Sequence, residues 1–163
     1  MAIDLLGRDV VTFARCVALD AEVFPYPSAD FRLLSWRDRI WVARESDSGR
    51  VVGFLASRAQ RGRLHVQGLA TDPSSRRRGV GRALVRACLD SDLAGHAEAV
   101  ALTVSVTNQG AICLYESEGF TIVRRMPDYY RPGTYGSQCD AFVMERSSPS
   151  RNPTGASRSR RTR

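Results

Sequence analysis

The sequence predicts an α/β domain, a mixed sheet of about seven strands with about four helices packed against it. Three observations carry this expectation. β-type runs and helical stretches alternate from the N-terminus to about residue 146, with no internal repeat. The composition, 43% hydrophobic and 25% charged, is that of a folded globular chain. A length of 163 residues suits one domain with a sizeable core.

The elements follow in order β-α-α-β-β-β-α-β-α-β-β. "AIDLL" reads as a short first strand. "RDVVTFARCVALDAEVF" follows with Val10, Val11, Ala14, Val17, Ala18 and Ala21 at helical spacing. "PYPS" ends that helix, because proline fixes the backbone and removes N–H donors. A short helical piece is expected near Asp30–Trp36. "RIWVARE" and "RVVGFLASR" are β-type runs separated by "SDSG", a hairpin signal, and "RLHVQGLATD" is a third run. Gly79 to Asp92 shows Val80, Ala83, Leu84, Ala87 and Cys88 on one stripe, the pattern of an amphipathic helix. "AVALTVSV" reads as a buried strand. "NQGAICLYESEG" reads as a helix with Asn108 as N-cap and Gly119 as its stop. "FTIVRRM" and "CDAFVMER" close as strands, joined by a loop rich in Pro, Gly and Tyr.

Composition excludes several classes. No apolar run approaches a membrane span, and the N-terminus lacks a basic-then-apolar signal, so the expected address is cytoplasmic, with no membrane partner. The four cysteines, Cys16, Cys88, Cys113 and Cys139, are scattered without a CxxC or a nearby His pair, so no metal site is expected. The net charge is +7, but "SSPSRNPTGASRSRRTR", residues 147–163, holds five Arg and no acid. A basic tail on a nearly neutral body of residues 1–146 is therefore expected. The tail has too little apolar surface to fold alone and reads as disordered. Weak RNA or ribosome contact is the partner its charge would suit. Every basic side chain is Arg, which lowers the weight of any single Arg run as a nucleic-acid signal.

"SSRRRGVGRALVRA", Ser74 to Ala87, places Gly79 and Gly81 at the start of a helix behind a run of arginines. A helix N-terminus offers unbonded N–H groups and partial positive charge, and glycines let those amides approach a phosphate closely. The converging amides suit a diphosphate better than a long polyanion. A P-loop is excluded, since the chain has no lysine; a dinucleotide fingerprint lacks its third glycine.

The pattern Arg76-Arg77-Arg78-Gly79-Val80-Gly81 resembles the pyrophosphate loop of the GNAT superfamily of N-acetyltransferases. Downstream, "TVSVTNQGAICLYESEGF" resembles the second half of that family's cofactor site, through Asn108, Ala111, Tyr115, Gly119 and Phe120. The resemblance covers about residues 2–146. It implies a sheet splayed between "RLHVQGLATD" and "ALTVSV", with acetyl-CoA in the gap. By the same resemblance, Leu69, Ala70 and Thr71 would give main-chain contacts, one N–H near Leu69 or Ala70 serving the thioester oxygen. Arg76, Arg77, Arg78, Gly79, Val80, Gly81, Arg82 and Ala83 would cradle the diphosphate, with Asn108 and Ala111 completing the cofactor site. Tyr115 matches the position that protonates the leaving thiolate; a core tyrosine that only packs its helix is the competing reading.

Two patches resemble the subgroup that acetylates protein N-termini, both the ribosomal-protein alanine acetyltransferases and their eukaryotic relatives. "VFPYPSADF", with Phe24, Pro25 and Tyr26, is similar to their substrate loop. "PDYYRPGTYGSQCDAFVM", with Tyr129 and Tyr130, is similar to their peptide-binding ending. The chain departs from the pattern at Thr103, where relatives carry a glutamate or histidine base. His65, near the position of a tyrosine in some relatives, becomes the candidate base through a water, against a strand histidine that merely points outward. The resemblance implies acetyl transfer to a peptide N-terminal amine, by a monomer or homodimer. Two alternatives stay open: acetylation of a small amine such as an amino acid, polyamine or antibiotic, and a catalytically silent acyl-CoA-binding or RNA-associated module.

Overall fold

A computed structural model describes residues 1–6, 9–24, 38–131 and 139–148. Pro25, Tyr26, the helical piece expected near Asp30–Trp36 and the tail from residue 149 lie outside them. The described elements run β1 (Ala2–Leu5), α1 (Val10–Val23), β2 (Asp38–Arg44), β3 (Val51–Gln60), β4 (Arg63–Thr71), a 3-10 turn (Pro73–Ser75), α2 (Val80–Leu89), α3 (Asp92–His96), β5 (Ala99–Ser105), α4 (Gln109–Ser117), β6 (Thr121–Met126) and β7 (Ala141–Ser147).

The seven strands form one mixed sheet in the order β1-β2-β3-β4-β5-β7-β6. Only β4 and β5 pair in parallel. The β2–β3 hairpin forms at "SDSG" as expected, with Gly49 at φ +66°. β3 and β4 join through Arg61 and Gly62, both at positive φ (51° and 77°), the conformation a two-residue hairpin turn requires.

Each face of the sheet buries its own apolar cluster. α2 and α4 cover Trp41, Leu55, Leu64, Val100, Leu102, Val104 and Met144, together with their own Leu84, Ile112 and Tyr115. α1 covers the opposite face, where Cys16 and Leu19 pack with Ile40, Val42, Phe54, Ala56 and Ala70. The strands alternate between clusters as the pleat demands.

Two helices differ from expectation. On α1 the buried positions are Thr12, Cys16, Leu19 and Asp20, whereas Val10 and Val11 are 76% and 79% exposed. The polar side chain of Thr12 tolerates burial because it bonds Asp9 and Arg44. The helix expected through Asp92 ends at Leu89, and α3 restarts after Ser91, whose hydroxyl caps it. α4 begins and ends as read: Asn108 Oδ1 accepts the Ala111 N–H at 3.2 Å, and Gly119 stands at φ +86°. No helix among the described residues is long and apolar enough to cross a membrane.

Candidate active site

The site grows from an irregularity in β4. Val66 pairs with Ser57 and Gly68 with Ala56, leaving Gln67 as an extra, bulged residue. The bulge reverses side-chain alternation, so Leu64 and Val66 before it and Leu69 after it all face the α2/α4 cluster, while Ala70 faces α1. At the same point the ladder to β5 ends: pairing runs from Arg63↔Ala99 to Val66↔Leu102 and no further. Beyond it β4 stays bonded to β3 as far as Thr71, and β5 to β7 as far as Ser105. The two inner edges therefore face each other across a gap. Asp72 donates its N–H to the Val52 carbonyl at 2.9 Å, so two-residue alternation turns the N–H groups of Leu69 and Thr71 toward the gap. Ala70 sends its own N–H toward β3 and does not line the opening.

A groove of about 1360 Å³ passes through the gap to the start of α2. Gly79 begins α2 at φ +81° with no side-chain capping bond, leaving the first-turn N–H groups without a side-chain partner. Arg76, Arg77, Gly79, Val80, Gly81 and Arg82 line this end. Ser75 lines it too; its buried Oγ has no hydrogen-bond partner among the described residues. Arg82 is steadied by Glu118 at 3.1 Å and Ser117 at 3.2 Å. Gly81 lets α2 approach α4, since a Cβ there would stand 3.3 Å from Leu114. Two expected contacts are placed elsewhere. Arg78 turns to the β2–β3 hairpin, 3.4 Å from Glu45, and Ala83 lies one turn inside α2 without reaching the groove.

Asn108, Ala111 and Tyr115 line the α4 wall. Tyr115 is buried, its ring edge-on to Phe120 with centroids 5.7 Å apart. Burial pushes its phenol well above the ordinary tyrosine range, so it stays protonated. Across the sheet, on the α1 face, the groove is lined by His65 and Thr103. Burial foremost, and then Arg63, lowers the pKa of half-buried His65 below the ordinary histidine value, while Glu145 pulls the other way. The imidazole is therefore neutral at pH 7.

Val23 and Phe24 from the end of α1, with Tyr129, Tyr130 and Arg131 from the β6–β7 loop, line the same opening. The two tyrosines meet edge-to-face at 4.9 Å. The loop is held at its base: the Tyr130 N–H bonds the Cys139 carbonyl at 2.8 Å, and Asp140 accepts from Arg125 (2.7 Å) and the Asp128 N–H (3.1 Å). Among the described residues no Asp or Glu lines the groove, and no group of three or more His, Cys, Asp or Glu could hold a metal.

Sequence reasoning missed Gln67, Ser75 and Glu145. A bulge leaves no local signature, but the alternation of "CDAFVMER" against "AVALTVSV" could have put Glu145 beside Ala101.

A family model described as the acetyltransferase (GNAT) family matches residues 13–120. The chain is 35% identical over 144 residues to the N-alpha-acetyltransferase RimI of Mycobacterium tuberculosis, covering 82% of this chain and 85% of that protein. It is 29% identical over 124 residues to the [ribosomal protein bS18]-alanine N-acetyltransferase of Escherichia coli strain K12, covering 76% and 82%. The crystal structure of the ribosomal-protein-S18-alanine N-acetyltransferase from Escherichia coli shares the fold, with a TM-score of 0.79 at 22% identity, over 94% of this chain and 99% of that one.

Proposed function

The chain belongs to the GNAT acetyltransferase family, and we propose that it transfers acetyl from acetyl-CoA to the α-amine of a protein or peptide N-terminus. Acetyl-CoA, when bound, supplies an acetyl group activated as a thioester. The residues suit both of its ends. Gly79, the uncapped start of α2, Arg76, Arg77, Arg82 and the partnerless Ser75 hydroxyl suit a diphosphate. The inward N–H groups of Leu69 and Thr71 suit the amide arm and the thioester oxygen.

The acceptor end, free of Asp and Glu among the described residues, carries the choice of amine. Phe24, Tyr129 and Tyr130 give apolar surface and phenolic hydrogen bonds for an extended peptide, while a polycation would find no carboxylate among the described lining residues. The names of the relatives, an N-alpha-acetyltransferase and a ribosomal-protein-bS18-alanine N-acetyltransferase, point the same way. An α-amine, with pKa near ~7.7–8.0, is roughly one-tenth neutral at pH 7, whereas lysine near ~10.4 is neutral only about once in a few thousand. A weak base therefore suffices for the α-amine, consistent with Thr103 at the position where the family resemblance leads one to expect a glutamate or histidine.

In this reading the neutral amine enters from the α1 face, and the new C–N bond forms as the C–S bond breaks. Tyr115 donates its phenolic proton to the departing sulfur. His65 takes, through a water, the proton shed by the acylated nitrogen. Solvent returns a proton to Tyr115 and removes one from His65, which closes the cycle.

The deciding experiment offers the full chain acetyl-CoA and a panel of peptides varied at their first two residues. Spermidine, free amino acids and N-terminally blocked lysine peptides serve as competitors. Acetylation at the peptide α-amine, located by mass spectrometry, is expected to dominate. Turnover of spermidine or of blocked lysine peptides above that of every free peptide overturns the reading.

A further inference from the structure

His65 lies within a row of charges. Asp38, Arg58, His65, Ala101 and Glu145 are successive Cα partners across β2, β3, β4, β5 and β7, and therefore share the α1 face of the sheet. Two ion pairs flank the histidine. On one side Arg58 binds Asp38 through two contacts, 2.6 and 3.1 Å. On the other, Arg63, two residues before His65 on the same face, pairs with Glu145. That second pair crosses β5 diagonally, because Arg63 is aligned with Ala99 and Glu145 with Ala101. Two methyl side chains leave the space over β5 that a long guanidinium needs. Thr103 is aligned with Val143, so the carboxylate that this strand lacks is present one strand over and two residues along.

We propose that Arg63 and Glu145 are positioning residues for His65: their bridge over Ala99 and Ala101 sets both the charge state and the orientation of the imidazole. The inference rests on His65 being the base. Glu145, on the same face two strands away, supplies a counter-charge for the imidazolium formed when the amine's proton arrives. Arg63 moderates that carboxylate, so the ring rests neutral and ready to accept. Other groups share this face among the described residues. Arg58 is committed to Asp38; β5 adds only Ala101 and Thr103; α1 brings buried Cys16 and Asp20; the loop adds Tyr129, Tyr130 and Arg131.

The chain has two histidines, so proton NMR of the full-length protein resolves each titration, with His96→Gln assigning the other signal. Glu145→Gln is expected to lower the His65 midpoint, and Arg63→Gln to raise it, each by about half a pH unit. The acid limb of kcat at saturating peptide should move with it in each variant, in opposite directions. Loss of mere structural support would slow both variants without separating their limbs. Midpoints that stay put, or that move in the same direction, overturn the proposal even where His65→Gln abolishes the limb. Midpoints that separate while the limb of kcat stays fixed overturn His65 as the base, and the catalytic role of the pair with it.

Discussion

At Tyr115 packing and chemistry can be separated by one atom. The ring is held edge-on against Phe120 in the core, and under the proposed mechanism only the hydroxyl takes part in the chemistry. Tyr115→Phe should therefore keep the fold and melt near the parent temperature. Steady-state turnover should fall by about 10²–10³, with little change in the KM for acetyl-CoA. Unchanged turnover would remove the residue from the mechanism and leave the core role alone. His65 has the opposite charge logic. Burial favours its neutral form, so the imidazole stays unprotonated to lower pH than a free histidine would. With peptide saturating, the acid limb of kcat should lie at lower pH than a free histidine would give. His65→Ala should erase that limb and lower the plateau, as a pH–rate profile would show.

At the level of the element, the bulge in β4, the start of α2 and the β6–β7 loop each build one part of the site. Gly79 occupies a left-handed conformation at the start of α2, with nothing within 4 Å of where a Cβ would stand. Gly79→Ala thus meets no clash, and its cost is backbone strain alone, about 1–2 kcal/mol by chemical denaturation. The KM for acetyl-CoA should rise more than the KM for peptide. The β6–β7 loop has the reverse dependence. Asp140 gathers Arg125 and the Asp128 backbone beneath the tyrosine pair, and Asp128 itself sits at φ +49°. Asp140→Ala should loosen Tyr129 and Tyr130 and raise the KM for peptide severalfold, while the KM for acetyl-CoA stays put. If both Michaelis constants move together, the loop does not belong to the acceptor side.

Across the whole molecule, what was legible in the sequence is what is written locally. The strand order along the chain, the "SDSG" hairpin, the Asn108 cap and the Gly119 stop depend on neighbours a few residues away. Gly79 and Tyr115 could be placed on the groove because they sit in two compact motifs, whereas Leu69 to Thr71 lie outside both and rested on the family resemblance alone. What was hidden depends on distant partners. Thr12 could turn inward only because Arg44 from β2 meets it, and Arg78 left the groove for Glu45 on a remote hairpin. The absence of Asp and Glu from the described lining is a property of several separate segments at once. Asp72 is the clearest case of such long-range dependence. At the end of β4 its carboxylate accepts from Arg50 at 2.8 Å, Arg15 at 3.4 Å, and the Ser74 hydroxyl and N–H at 2.6 and 2.9 Å. One buried group thereby joins α1, the residue before β3 and the turn that leads toward α2. The Ser74 hydroxyl bond foremost, with Arg50 contributing, holds the Asp72 carboxyl below the usual carboxylate range. Its folded pKa is thus lower than its unfolded one, so the stabilisation is complete above about pH 4–5 and is lost as pH falls through the folded value. Asp72→Ala should cost about 1.5–3 kcal/mol at pH 7, read from urea denaturation. The gap between variant and parent should narrow as pH falls below the usual carboxylate range and the parent loses this contribution. The same variant should raise the KM for acetyl-CoA, because Ser75 and Arg76 follow directly on the turn that Asp72 holds. A variant as stable as the parent at pH 7 would mean that each of the three segments is held in place without this carboxylate.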